Sequence, residues 1–152
     1  MKIETYNHMS ARAKIDTAIS ATLLKSIRGV SADWDSENAP KIKRRILDAL
    51  RRDGWSNPVK LDPERGITVT AMKQGTALSV QFGNMSRFYA DLLKLEYLFK
   101  KGRATAAIYI LPTKDAAKNL GQNIVCFERL CSELQMFEMI IEIPMLVVGV
   151  EG

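Results

Sequence analysis

Hydroxyl and amide side chains gather on two neighbouring segments, residues 66–72 and residues 76–82. Both segments are rich in β-branched and apolar residues and so predict two strands, and residues 73–75 (Lys-Gln-Gly) predict a three-residue hairpin turn between them. Side chains alternate along a strand, which sends the apolar residues of the second strand to a core and its polar residues to the other face. Four residues should share that polar face: Thr68, Thr70, Ser79 and Gln81. Such neutral groups form hydrogen bonds but offer a metal ion no negative charge.

Residues suited to other kinds of catalytic site are scarce. His8 is the only histidine, which argues against catalytic triads and histidine-based metal sites, and we expect it on the surface of a mobile N-terminal segment. Cys126 and Cys131 match no zinc spacing and are expected to pack in the core. One loop carries three acids: Asp33, Asp35 and Glu37. It lacks the spacing and the glycine of an EF-hand, and we find no nucleotide-binding loop, cofactor fingerprint or nucleophile–base pair.

Positive charge is concentrated in one predicted helix. The chain has 22 Lys and Arg against 17 Asp and Glu, a formal net charge of +5, which suits a polyanionic partner. Six of the cations fall within residues 41–53: Lys41, Lys43, Arg44, Arg45, Arg51 and Arg52. Together with Lys73 they are our candidate contacts to nucleic-acid phosphates, although a charged face on an amphipathic helix can also serve solubility alone. Residues 115–152 are acidic by contrast.

Three consecutive elements carry a family likeness: SVQFGN at 79–84, the helix SRFYADLLKLEYLFKKG at 86–102, and a strand ending in ILPTKD at 110–115. In this order they resemble the BglII-type restriction endonucleases and their relatives, which belong to the PD-(D/E)XK nuclease superfamily. The likeness covers about residues 66–115, and the V-Q-F element gains specificity from the helix and strand that follow it. The resemblance implies a restriction-endonuclease-like α/β core, duplex DNA as the partner, and assembly as a homodimer.

The resemblance also locates a magnesium site, and this chain departs from it. In that family the first strand carries an Asp and the second reads Glu-Val-Gln-Phe; the Asp and Glu bind magnesium, and the Gln stands where most of the superfamily has Lys. Aligned without gaps, the Asp falls on Thr70 and the Glu on Ser79, and only Gln81 is retained. Magnesium needs anionic oxygen ligands, and without it no water is activated and no leaving oxygen is stabilised. We therefore predict a nuclease scaffold that binds duplex DNA without cleaving it and uses no cofactor.

Three other interpretations stay open. The segment could be an ordinary hairpin unrelated to that family. Alternatively, acids displaced to Glu64 or Glu96 restore the metal site and the protein is an active magnesium-dependent DNA endonuclease, since some superfamily members carry a ligand on the next helix; solvated surface acids are the simpler account of both residues. A third possibility is an interaction or inhibitor module related to a nuclease, with the acidic C-terminal region as its contact surface.

We predict a single domain, residues 1–152, with a helical, basic N-terminal part (1–60) and an α/β core (61–152). The predicted helices are 10–28 with Ser10 as N-cap, 40–53, 113–120 and 124–140, together with a helix that is capped by Asn84 or Ser86 and ends near Lys101. The predicted strands are 66–72, 76–82, 104–112 and 144–150. A hairpin followed by β-α-β crossovers gives a mixed central β-sheet flanked by helices. No stretch suits a membrane helix or a signal peptide, so we expect a cytoplasmic protein with no membrane partner and no small-molecule cofactor.

Overall fold

The computed structural model describes residues 1–152 and contains seven β-strands and five α-helices. The strands are β1 (Lys2–His8), β2 (Val59–Lys60), β3 (Thr68–Val69), β4 (Ala71–Lys73), β5 (Thr76–Val80), β6 (Ala106–Pro112) and β7 (Met145–Glu151). The helices are α1 (Thr17–Arg28), α2 (Ala39–Arg52), α3 (Arg87–Lys100), α4 (Lys114–Leu120) and α5 (Phe127–Met136). A short 3-10 turn, Ala11–Ala13, lies between β1 and α1.

Five strands form the central sheet in the order β1-β7-β6-β5-β4, and β2 pairs with β3 in a separate two-stranded sheet. β6 runs parallel to both of its neighbours, β5 and β7, while β1 and β4 are antiparallel strands at the two edges. The predicted mixed sheet flanked by helices is therefore confirmed, as is the single-domain α/β class. None of the helices is long and apolar enough to cross a lipid bilayer.

The sheet separates two hydrophobic layers. On one side, α1 and α2 pack against the face of β5 that carries Leu78 and Val80, as the alternation of that strand predicted. On the other side, α3 and α5 pack against Tyr109 of β6 and Val147 of β7. Because β6 and β7 are buried on both faces, their sequences are continuously apolar. The polar face of β5 thus lies under α3 rather than in open solvent.

Local signals set the ends of α2 and α3. The Asn38 side chain accepts a hydrogen bond from the N–H of Lys41 at 3.1 Å, and Pro40 occupies the first turn of α2, where its missing N–H costs nothing. Before α3, the Asn84 side chain accepts the N–H of Ser86 at 2.9 Å. Gly102, with φ of 67°, follows the last turn of α3, in the left-handed conformation that often ends a helix.

The N-terminal segment differs from its prediction. Residues 2–8 are not a mobile tail but the edge strand β1, which pairs with β7 along its whole length. His8 is consequently buried, and its Nε2 lies 2.6 Å from the carbonyl oxygen of Ile141. The first helix begins at Thr17 rather than at residue 10, because the Asp16 side chain caps it by accepting the N–H of Ala18 at 2.7 Å. The N-terminal part is therefore not purely helical.

The hairpin also differs in detail from its prediction. The single strand expected at 66–72 is divided, since β3 pairs with β2 and only β4 pairs with β5. The turn has two residues rather than three, Gln74 and Gly75, with φ of 46° and 75° between the paired Lys73 and Thr76. Positive φ at both central residues matches the right-handed twist of a two-residue hairpin. Thr70 lies at the junction of β3 and β4, opposite Ser79 by the register of that hairpin.

Candidate functional site

A cavity of about 500 Å³ opens on the polar face of β5. Its lining includes the four polar residues that the sequence placed on one face: Thr68, Thr70, Ser79 and Gln81. The charged residues come from two helices: Lys43 of α2, and Arg87, Asp91 and Lys94 of α3. Thr70 is held in place because its Oγ1 accepts the N–H of Val80 at 3.2 Å. The structure therefore places the predicted polar face next to charged residues of α2 and α3.

A buried hydrogen-bond network orients Gln81. Its Nε2 donates to Oδ2 of Asp91 at 2.7 Å, and its Oε1 accepts the N–H of Gly83 at 3.0 Å. The Tyr109 hydroxyl donates to the same Oδ2 at 3.0 Å. Lys94 donates to the other oxygen, Oδ1, at 3.3 Å. Both oxygens of this carboxylate are thus engaged by donors from three different elements.

Positive charge predominates in the cavity. Three cations line it, Lys43, Arg87 and Lys94, against one carboxylate, that of Asp91. Burial lowers the pKa of Lys43, and the two other cations lower it further, while the carboxylate acts in the opposite direction. Such an excess of cations beside neutral hydroxyls suits an anion such as a phosphate, which accepts hydrogen bonds from both kinds of donor.

Tyr109 is a structural member of this group. Its side chain is fully buried. Burial raises the pKa of Tyr109 well above its ordinary value, and the nearby Asp91 carboxylate raises it in addition. The phenol therefore stays protonated at neutral pH, as its role of hydrogen-bond donor requires.

The cavity does not fit a magnesium ion. Magnesium is bound in proteins by one or two carboxylates together with water and phosphate oxygens. Here Asp91 is the only carboxylate in the lining, and its oxygens already accept hydrogen bonds from Gln81, Tyr109 and Lys94. No group of three or more His, Cys, Asp or Glu in the chain is arranged to hold a metal ion.

The two acids considered as displaced ligands lie outside the cavity. Glu96 is buried on α3, where its Oε2 accepts the backbone N–H groups of Glu142 and Ile143 at 3.0 and 2.9 Å. It therefore fixes the segment that leads into β7. Glu64 lies exposed in the turn that precedes β3, where its own N–H donates to the Asp62 side chain at 3.0 Å.

Most of the cations predicted to contact phosphates lie outside this cavity. Four of the seven form ion pairs near α2: Lys41 and Arg45 with Glu37, and Arg44 and Arg51 with Asp48. Lys73 donates to the backbone oxygen of Asp53, and Arg52 lines a separate cavity beside the end of α1. Only Lys43 lines the cavity that contains Ser79 and Gln81. The structure thus brings one predicted cation to the predicted polar face.

Three residues of the site were not predicted: Arg87, Asp91 and Lys94. They follow one another at intervals of four and three residues, the spacing that places side chains on one face of a helix. This charged row lies next to the apolar row of α3 that faces the core, which includes Phe88, Leu92 and Leu95. Inspection of the charged row of this helix, in addition to its apolar row, would have identified these three residues from the sequence.

Comparisons with known proteins agree with this architecture. The chain matches the sequence model of the family described as "Restriction endonuclease BglII/BglIII" over residues 3–150. The crystal structure of restriction endonuclease BglII complexed with a DNA 16-mer superposes with a TM-score of 0.83 at 16% identity, covering 98% of this chain and 76% of that one. Free BglII superposes with a TM-score of 0.75 at 19% identity, covering 100% and 80%. Among curated proteins, no sequence matches that of this chain significantly.

Proposed function

The chain belongs to the restriction endonuclease BglII/BglIII family, and from that premise we propose that it binds duplex DNA through the cavity of Lys43, Arg87 and Lys94 without cleaving it. One observation carries the proposal: the cavity beside the retained Gln81 contains three cations and a single, fully engaged carboxylate. A nuclease site that depends on magnesium requires the opposite sign of charge.

The cations supply the affinity in this proposal. A DNA phosphate entering the cavity would meet Lys43 from α2 and Arg87 and Lys94 from α3. The hydroxyls of Thr68 and Ser79 add neutral donors, whereas two carboxylates at positions 70 and 79 would repel the phosphate in the absence of a metal ion. Contacts of this kind neutralise the DNA backbone and carry no sequence information.

Loss of cleavage follows from the same residues. Hydrolysis of a phosphodiester by this class of site needs a metal ion to activate water and to stabilise the leaving oxygen. Thr70 and Ser79 offer neutral oxygens where the family resemblance implies an Asp and a Glu, and both hydroxyls belong to a cavity with net positive charge. We further propose a homodimer, which rests on the resemblance alone and is measured by sedimentation velocity.

The competing interpretations have less support. An active magnesium-dependent endonuclease would have to use Asp91, because Glu64 and Glu96 do not line the cavity. An interaction module with an acidic contact surface would need free acids, yet five of the six in residues 115–152 are engaged: Asp115, Glu128, Glu133, Glu142 and Glu151. Only Glu138 has no partner.

Salt-dependent binding tests the proposal. Affinity for a labelled duplex is measured by fluorescence anisotropy over a range of salt for the wild type, Lys43→Glu and Lys94→Glu. The matched control is Lys25→Glu, an exposed lysine of α1 outside the cavity. We expect a steep fall of affinity with salt, and a slope of log K against log salt that is smaller by about one in the cavity variants but not in the control.

Cleavage is measured on the same protein. Supercoiled plasmid is incubated with the wild type in magnesium or manganese, and we expect no nicked or linear product. Hydrolysis that Asp91→Asn abolishes would overturn the non-cleaving assignment and favour the active endonuclease. Duplex binding that is absent at low salt, or unaffected by charge reversal at Lys43 and Lys94, would overturn the assignment of the cavity to DNA.

A further inference from the structure

A second depression adjoins the cationic cavity along α3. It is an apolar groove of about 590 Å³, and its apolar lining comes from Leu61, Ile67, Ala90, Leu93 and Tyr97. Leu93 is 66% exposed and Ile67 is 45% exposed, so their side chains are largely free of the core. The groove and the cavity share two lining residues, Ala90 and Lys94. They therefore form one continuous surface.

The groove has almost no charge of its own. Asp62 and Arg65 stand at its rim and neutralise each other through an ion pair of 3.0 Å. The remaining charge is Lys94, which also belongs to the cavity and pairs there with Asp91. A ligand that fits both depressions thus has an anionic end directed to the cavity and a flat or apolar end lying on Leu93 and Tyr97.

We propose that the groove binds an unpaired nucleobase whose phosphate lies in the cavity, an inference that rests on the phosphate assignment of the proposed function. Proteins that hold unpaired nucleic acid combine a cationic track for the backbone with aromatic and apolar side chains against which bases stack. Here the two features follow each other on one helix, and the rise along the helix axis from Asp91 to Tyr97 is about 9 Å. That is the scale of one nucleotide.

The size of the groove favours a nucleobase over a protein partner. A stable protein interface uses about 20 to 30 residues on each side. The groove offers only three exposed apolar side chains, Ile67, Leu93 and Tyr97. Such a small apolar surface beside three cations is complementary to a nucleotide, which has one planar ring and one negative charge.

Two sources supply this chemistry: a single strand, and a base displaced from a duplex. Binding is therefore compared for three probes of equal length, namely a paired duplex, the same duplex with one extra unpaired 2-aminopurine, and a single strand with 2-aminopurine. We expect one or both unpaired probes to bind at least about fivefold more tightly than the paired duplex, as stacking of one base predicts. The 2-aminopurine fluorescence should fall when the base stacks in the groove.

Two substitutions in the groove test whether a preference for unpaired probes arises there. Leu93→Asn and Tyr97→Ala should abolish the preference for unpaired probes and leave affinity for the paired duplex unchanged. The matched control is Met139→Ser, which removes an apolar side chain that is 92% exposed and outside the groove. Leu93→Asn changes a largely exposed position, and a thermal melt confirms that the variant is folded.

The possible outcomes distinguish a failure of the groove assignment from a failure of the proposed function. If the paired duplex binds and the unpaired probes bind no better, the groove assignment is wrong and the cavity assignment stands. If Leu93→Asn changes the sedimentation coefficient, the groove is an interface between copies of the chain and the inference is overturned. If no probe binds, both assignments fail, and if only unpaired probes bind, the duplex assignment alone fails.

Discussion

Gln81 and Asp91 form the central hydrogen bond of the site, from Nε2 of the amide to Oδ2 of the carboxylate at 2.7 Å. The bond joins the end of β5 to the middle of α3 and directs Oε1 of Gln81 toward the N–H of Gly83. Asp91 is therefore a structural anion: it holds the amide and Tyr109, and it offsets part of the positive charge of the cavity. This double role determines how the site should respond to mutation.

Removing the charge of Asp91 should strengthen DNA binding. Asp91→Asn keeps an oxygen acceptor for Gln81 and Tyr109 but deletes the only negative charge in the cavity lining. We expect duplex affinity to rise by about three- to tenfold at low salt, measured by fluorescence anisotropy. Asp91→Ala should instead destabilise the fold by about 2–4 kcal/mol, because two buried donors lose their acceptor. Weaker binding by a folded Asp91→Asn would contradict this account.

Binding should weaken at high pH because of Lys43. Burial lowers its pKa below the ordinary 10.5, so Lys43 is charged and fully effective at low pH and loses its proton as pH rises through the lowered value. Duplex affinity should therefore decline at a lower pH than it would if this lysine had the ordinary pKa. Lys43→Arg, which stays protonated, should remove the decline. Identical pH profiles for wild type and Lys43→Arg would show that Lys43 does not contact the phosphate.

Introducing two carboxylates at positions 70 and 79 should make duplex binding dependent on magnesium. Thr70→Asp combined with Ser79→Glu places two acids on the polar face beside Gln81. We expect duplex affinity in EDTA to fall by about tenfold or more through repulsion of phosphate, and magnesium to recover it. The neutral pair Thr70→Asn and Ser79→Gln has the same side-chain sizes and should show no magnesium response. Equal affinities with and without magnesium in the acidic variant would be the contrary result.

A close approach between α5 and β7 should make Gly149 sensitive to substitution. A Cβ atom at Gly149 would lie 2.7 Å from Cγ of the Phe127 ring, closer than real contacts allow. Gly149→Ala should therefore lower the free energy of unfolding by about 1–3 kcal/mol, as overpacking does. Gly66→Ala is the control, since nothing lies within 4 Å of its Cβ position. The free energy of unfolding of both variants is measured by urea denaturation, and equal values would contradict the prediction.

The thiol of Cys131 should be unreactive in the folded protein. Burial raises its pKa from the ordinary 9.0 to about 12, and the nearby Glu128 raises it in addition. The thiolate fraction at pH 8 should be about a thousandfold below that of an unperturbed thiol, so alkylation by iodoacetamide should be slow. Unfolding in urea should restore ordinary reactivity. Rapid labelling of Cys131 in the native protein would contradict its packed environment.

Local patterns were sufficient for several elements of this fold. The predicted bounds of α2, α3, β5, β6 and β7 differ from the observed ones by at most two residues. Hydrophobic period, caps and glycines act over a few neighbouring residues, so they can be read directly from the chain. β1 was missed because its partner is distant: Lys2 pairs with Glu151, and no local signal reports that pairing.

The candidate site, like the fold, could be predicted only in part from local sequence. Alternation along the second strand of the hairpin predicted Ser79 and Gln81 on one face, and the family likeness predicted Gln81 as the retained residue. Tertiary structure alone decided which charges reach that face: Lys43 does, whereas Arg44 and Arg45 pair with Asp48 and Glu37. Neighbouring residues of a helix point in different directions, and the rotation with which α2 and α3 dock on the sheet selects which side chains enter the cavity. That rotation is set by packing between residues far apart in the chain, so it cannot be read from any single segment.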